Sequence, residues 1–218
     1  MAFRLMDFGI PNFDTNVDYL YKTAVEHGES HVCDKEEYLV YRMGDTPMLV
    51  VLRFQFEADG ETPANVIAHT FLDSDLRWSK DMVQLTDGDR ATVMLGGMWF
   101  NAEVINPSAQ GNAFMPTIFP EQVKFGRTPI SCDADYTYTE GKVVPGSEGN
   151  VQLLARVESI TPQIMSKLWL FSVVRLKTEN GFIDITVGRD ALEKQLDFCN
   201  VGDLCFVQGP LSLMKTWE

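Results

Sequence analysis

Val151-Gln-Leu-Leu-Ala-Arg-Val-Glu158, Leu168-Trp-Leu-Phe-Ser-Val-Val-Arg-Leu-Lys177 and Phe182-Ile-Asp-Ile-Thr-Val187 decide how this chain is read. In the first run, Val151, Leu153, Ala155 and Val157 alternate with Gln152, Leu154, Arg156 and Glu158, a period of two that gives a strand one apolar face. Thr161-Pro162 ends it, because proline has no N–H to give to a ladder. The second run is a longer strand. Leu168, Leu170, Ser172, Val174 and Leu176 lie on one side, and Trp169, Phe171, Val173, Arg175 and Lys177 on the other. Asn180-Gly181, both tolerant of positive φ, turn it back into the third. Beyond Gly188, Asp190 and Glu193 offer a capping box to a short helix with Leu192 and Leu196 on one face. Asn200-Val-Gly-Asp203 then leads into Leu204–Gln208, and Gly209-Pro210 bends the chain into a last stub at Leu211–Met214. Five strands with one helix after the third predict a small barrel.

The cadence Gly181-Phe-Ile-Asp-Ile-Thr-Val, a helix, then Val201-Gly-Asp-Leu-Cys-Phe-Val-Gln-Gly209 resembles the OB domains of replicative polymerases and of class II aminoacyl-tRNA synthetases. It departs from them between Ser159 and Lys167, which lacks their glycine-rich turn. The resemblance implies that bases stack on aromatics of the second and third strands. With Leu168, Leu170, Val174 and Leu176 inside, Trp169, Phe171, Arg175 and Lys177 face outward. Arg156 and Phe182 on the flanking strands complete a ligand-binding platform for a single strand. A competing and weightier reading packs Trp169 and Phe171 against the first domain, since a strand apolar on both sides is usually buried on both.

The first 150 residues read as an acidic β domain with an N-terminal helix. Val17, Leu20, Tyr21 and Ala24 fall at helical spacing, so a helix is expected from about Thr15 to His27, stopped by Gly28. Strands follow at Tyr38–Tyr41, Met48–Glu57, Val66–Phe71, Ala91–Leu95 and Met98–Val104, separated by Gly44-Asp45, Asp59-Gly60, Gly88-Asp89 and Gly96-Gly97. Leu76–Leu85 fits strand or helix. Gly202-Asp203, strand, Gly209, strand echoes Gly88-Asp89 to Val104, a faint sign of duplication. Pro107, Pro116 and Pro120 mark 106–111 and 114–120 as loop, and Gly141, Pro145, Gly146 and Gly149 mark 139–150 as a linker. The expected division is 1–145 and 146–218.

Charge separates the two parts. Residues 1–150 hold 11 Lys and Arg against 23 Asp and Glu, a net −12, whereas 151–218 hold 7 against 8, a net −1. An acidic body repels phosphate backbones, which disfavours a dedicated nucleic-acid binder and suits a protein partner. No apolar run is long enough to span a bilayer and no signal-peptide core opens the chain, so a cytoplasmic protein is expected. Cys33, Cys132, Cys199 and Cys205 show no paired spacing and read as reduced thiols.

Few residues offer chemistry. His27, His31, Cys33 and Asp34 crowd together but fit no zinc spacing, so neither a metal nor another cofactor is expected. His69 with Asp73 and Asp75 is the one base-and-orienter arrangement and the basis of a hydrolase alternative. Asp133 with Asp135, and Asp73 with Asp75, read as acidic loops rather than a cation site. Signature motifs of nucleotide, serine and zinc enzymes are missing. The reading is therefore a non-catalytic binding or interaction protein with an OB-like module. Single-strand binding through Arg156, Trp169, Phe171, Arg175, Lys177 and Phe182 is the alternative.

Overall fold

The structure is a computed structural model that describes residues 2–4, 13–60, 62–126, 139–146, 149–165, 168–188 and 200–217. It is mainly β, with one helix near the N-terminus. The first sheet contains β1 (Ala2–Arg4), β2 (Glu29–Cys33), β3 (Glu36–Arg42), β4 (Met48–Phe56) and β5 (Pro63–Leu72) in the order β1-β5-β4-β3-β2. Helix α1 (Phe13–His27) lies between β1 and β2 in the chain and packs on β3 and β4. Its buried Leu20, Thr23 and Ala24 form the i, i+3, i+4 stripe that its sequence spacing predicts. Gly28 ends it, where an added Cβ would meet the Ala24 carbonyl oxygen at 2.4 Å. Residues 48–52 of β4 are all buried, because the strand has the helix on one face and the second sheet on the other.

The second sheet contains β6 (Trp78–Ser79), β7 (Val83–Asp87), β8 (Arg90–Leu95), β9 (Met98–Val104), β10 (Ala113–Ile118), β11 (Gln122–Gly126), β12 (Val143–Pro145), β13 (Val151–Met165), β14 (Leu168–Thr178), β15 (Gly181–Gly188), β16 (Leu204–Gly209) and β17 (Leu211–Lys215). Its path is β11-β16-β13-β14-β15-β10-β17-β9-β8-β7, with β12 on β13 and β6 on β10. Strands from both sides of residue 145 therefore share one sheet. The ambiguous 76–85 stretch resolves into β6, a 3-10 turn at Lys80–Met82 and the start of β7.

The five strands expected after residue 150 are present, and β16-β13-β14-β15 has the 4-1-2-3 order of a Greek key. They do not close on themselves. The fifth, β17, pairs with β10 and β9, and β10 stands between it and β15. Strands β16 and β17 do not fold back as a hairpin, unlike β8 and β9, which pair from Arg90↔Glu103 to Leu95↔Met98. They run on through Pro210, alongside β10 and β11, which run on through 119–121. At this crossing Gly209 is required: a Cβ there would stand 2.0 Å from the Phe119 carbonyl oxygen. The helix expected near Leu192 lies outside the described residues.

Two proline readings are corrected by what flanks each residue. Residues 114–118 are not loop but part of β10, where Pro116 pairs with Leu213. On its other side β6 reaches only Phe114 and β15 begins at Thr117, so no partner needs the missing N–H. Strand β13 likewise continues through Pro162 to Met165, past the expected end. Its second neighbours β12 and β16 stop at Leu153 and Arg156, so at Pro162 only β14 is paired with it. Bulges at Val157/Ser159 and Gln163/Ile164 absorb the irregularity.

Two cores result. One fills the second sheet with Val93, Phe100, Val104, Leu153, Val174, Leu176, Ile185 and Leu213 among others. The other lies between the sheets and under the helix, and joins Leu52, Phe71 and Met48 to Phe119, Phe171, Met115 and Met214. Phe71 and Phe119 meet edge to face with centroids 6.2 Å apart. No helix among the described residues is long and apolar enough to cross a membrane.

Candidate ligand cleft

The outward face of β14 runs from buried to exposed. Phe171 is fully buried and Val173 packs beside it in the inter-sheet core. Of the two readings of Phe171, the outward-facing ligand ring is corrected and the packed ring is the one found, because the first sheet covers that end of the strand. The side chain of Trp169 lies outside the described residues. Arg175 comes next, where cover ends. Its Nε donates to Asp184 Oδ1 at 2.8 Å and its Nη2 to Oδ2 at 2.9 Å, and it also pairs with Asp75. These two carboxylates push the guanidinium's pKa further up. Asp184 is itself buried and accepts from the Ser74 hydroxyl at 2.6 Å. Arg175 thus clamps the loop after β5 to the second sheet. Last on this face is Lys177, which is exposed and sits opposite Arg156 on β13 and Phe182 on β15. Of the six predicted residues, then, Arg156, Lys177 and Phe182 form one cross-strand row. Arg156 is engaged there by Glu140 at 2.8 Å and by the Gly202 carbonyl at 2.9 Å.

The residues singled out for chemistry are dispersed or occupied. His69 is buried on β5, Asp73 pairs with Arg42, and Asp75 pairs with Arg175, which holds its carboxyl below the usual range. His27 is exposed at the end of α1, Cys33 is buried on β2, and burial, then Asp34, pushes the Cys33 thiol's pKa up. Asp34 occupies a turn at φ 55°. Among the described residues no three His, Cys, Asp or Glu side chains converge as a metal site would require. Cys132, Cys199, Asp133 and Asp135 lie outside the described residues.

A different set of residues does converge. Beside the inter-sheet core, the face of β2 and β3 extends past the cover of the second sheet and leaves a cleft of about 610 Å³. Val40 and Leu49 from the first sheet and Met115 and Met214 from the second supply apolar walls, and Arg42, Asp73 and Arg77 stand along the rim. His31 and Trp217 also line it, their rings stacked at 4.3 Å and 8°. Cross-strand register explains the grouping: His31 is opposite Tyr38, and Trp217 meets the Tyr38 ring edge at 5.1 Å.

This corner is held by Glu36. Its Oε1 accepts from Arg53 Nε at 2.9 Å and Gln55 Nε2 at 3.1 Å, and its Oε2 from the Tyr38 hydroxyl and from Ser108 Oγ at 2.7 Å. Burial opposes ionisation of Glu36, but these donors, Arg53 foremost, outweigh it and hold the carboxyl at about 2. Burial, and then the bond to Glu36, pushes the Tyr38 phenol up. Ser108 belongs to the loop after β9, so the network ties that loop to the first sheet and fixes Tyr38 beneath Trp217.

A larger groove of about 790 Å³ runs over the outer face of β7 to β9, lined by Thr86, Arg90, Thr92, Asn101 and Glu103 with Pro210 at one end. Ala91, Ala102 and Leu211 give it apolar lining as well but no aromatic side chain, whereas the inter-sheet cleft carries a stacked imidazole and indole, which makes that cleft the stronger candidate. Sequence reasoning missed the cleft because its parts come from positions 31, 40, 77, 115 and 217. No protein-family model matches the chain, and comparison with the curated proteins and with the solved structures likewise gives no match.

Proposed function

We propose that the chain is a non-catalytic binding protein in which an OB-like strand set serves as scaffold and a small ligand is held in the cleft between the sheets. The scaffold reading is supported by the Greek-key order of β13 to β16 and by the bend at Gly209-Pro210, which carries the fourth strand into the fifth. Strand β10 stands between β15 and β17, so the five strands belong to one continuous sheet. The observation that carries the binding reading is the His31–Trp217 stack standing over Val40, Leu49, Met115 and Met214. Aromatic and apolar walls with a few polar groups at the rim are the usual make-up of a small-molecule site.

Chemical-shift mapping of the full chain with indole as probe tests this. Perturbed amides should cluster at His31, Val40, Arg42, Ala113 and Thr216. Absence of any perturbation there refutes the reading. A second reading, weak single-strand binding, rests on the cross-strand row Arg156, Lys177 and Phe182. Titration with oligothymidylate should then move Lys177 and Phe182, and the effect should fade as salt is raised.

A further inference from the structure

We infer that the cleft selects an organic carboxylate, its anionic head held by Arg77 and its planar or aliphatic body lying toward Trp217. This rests on the cleft being the binding site and adds what it recognises. Arg77 spends one nitrogen locally: Nη1 donates to the Ser74 carbonyl and, at 2.8 Å, to the Leu76 carbonyl. Both bonds use the same amino group, so the Nε–Nη2 edge has no partner among the described residues. That edge is the fork whose two parallel N–H groups match the two oxygens of a carboxylate. The other rim arginine is already neutralised, since Arg42 pairs with Asp73. Arg77 makes no ion pair among the described residues, and the nearby Asp75, whose carboxyl Arg77 helps to hold down, is already bonded to Arg175, so a guanidinium charge is left at this end of the cleft.

The far end is built for something uncharged. Between Arg42 and the residue opposite His31 lie four steps of β3, roughly 13 Å at strand rise. Along that span the walls are Val40, Leu49, Met115 and Met214, ending in the indole. Glu29, exposed beside His31, disfavours a second anionic group there. A molecule with one carboxylate and an apolar body therefore satisfies both ends. An inorganic anion satisfies only one.

The test pairs two probes of one shape, naphthalene-2-carboxylate and its neutral carboxamide, titrated by shift mapping against the full chain and its Arg77→Gln and Arg77→Lys variants. The wild type should prefer the carboxylate about tenfold, the worth of a charge-assisted pair at an open rim. Arg77→Gln should bind both probes alike with the amide's affinity unchanged, and Arg77→Lys, which keeps charge without the fork, should fall between. Equal affinities in the wild type, or a preference that survives Arg77→Gln, overturns the inference and leaves the cleft reading standing. If neither probe perturbs the cleft, both readings fall together. Arg77 is on the rim and unchanged unfolding midpoints of the variants exclude a folding effect.

Discussion

Replacing Glu36 by Gln should be among the costliest conservative changes in this chain. The carboxylate sits at about 2 in the folded protein against an ordinary 4.5, a displacement of two to three pH units. At roughly 1.4 kcal/mol per unit, its charge contributes on the order of 3 kcal/mol to stability at neutral pH. Because the folded value is depressed, that stability is complete above about pH 4.5 and is lost as pH falls toward 2. A second route gives the same size. Glu36→Gln leaves the Arg53 guanidinium, 6% exposed, without its counter-charge, and breaking a buried pair costs about 3 to 5 kcal/mol. Urea unfolding at pH 7 and at steps down to pH 3 measures both. The variant should lose about 3 kcal/mol at pH 7, and the gap to wild type should narrow with acidification as the wild type loses its charge as well. The double change Glu36→Gln with Arg53→Met should cost less than the two singles added, since no orphaned charge remains. A loss under about 1 kcal/mol at pH 7, or a gap constant down to pH 3, would refute the reasoning that this network is held by charge.

Two further predictions concern packing. Phe171→Ala should cost about 3 to 5 kcal/mol in the same unfolding assay, since the ring is fully buried between the sheets, whereas an exposed ring would lose almost nothing. Gly209→Ala forces a methyl carbon to within 2.0 Å of the Phe119 carbonyl and should cost about 3 kcal/mol with a lowered thermal midpoint; a neutral result would mean that the two bent strands can slide apart.

Period-two alternation at 151–158, 168–177 and 182–187, together with Asn180-Gly181 and the glycine turns, was enough to determine the strands and the β14–β15 hairpin, because side-chain direction and turn geometry are local properties. The helix at 13–27 was legible for the same reason, through Leu20 and Ala24. What covers each apolar face is not local. Pro116 and Pro162 stand inside strands because the neighbouring strands end or begin beside them, a matter of register between segments tens of residues apart. Phe171 is sealed because β3 to β5 arrive over that end of β14, and Arg175 is claimed by Asp75 from a loop 100 residues earlier. By the same logic the cleft exists only once the first sheet has docked: the chain places an indole at 217, an imidazole at 31 and a guanidinium at 77, and only the packing of one sheet on the other brings them around a shared space.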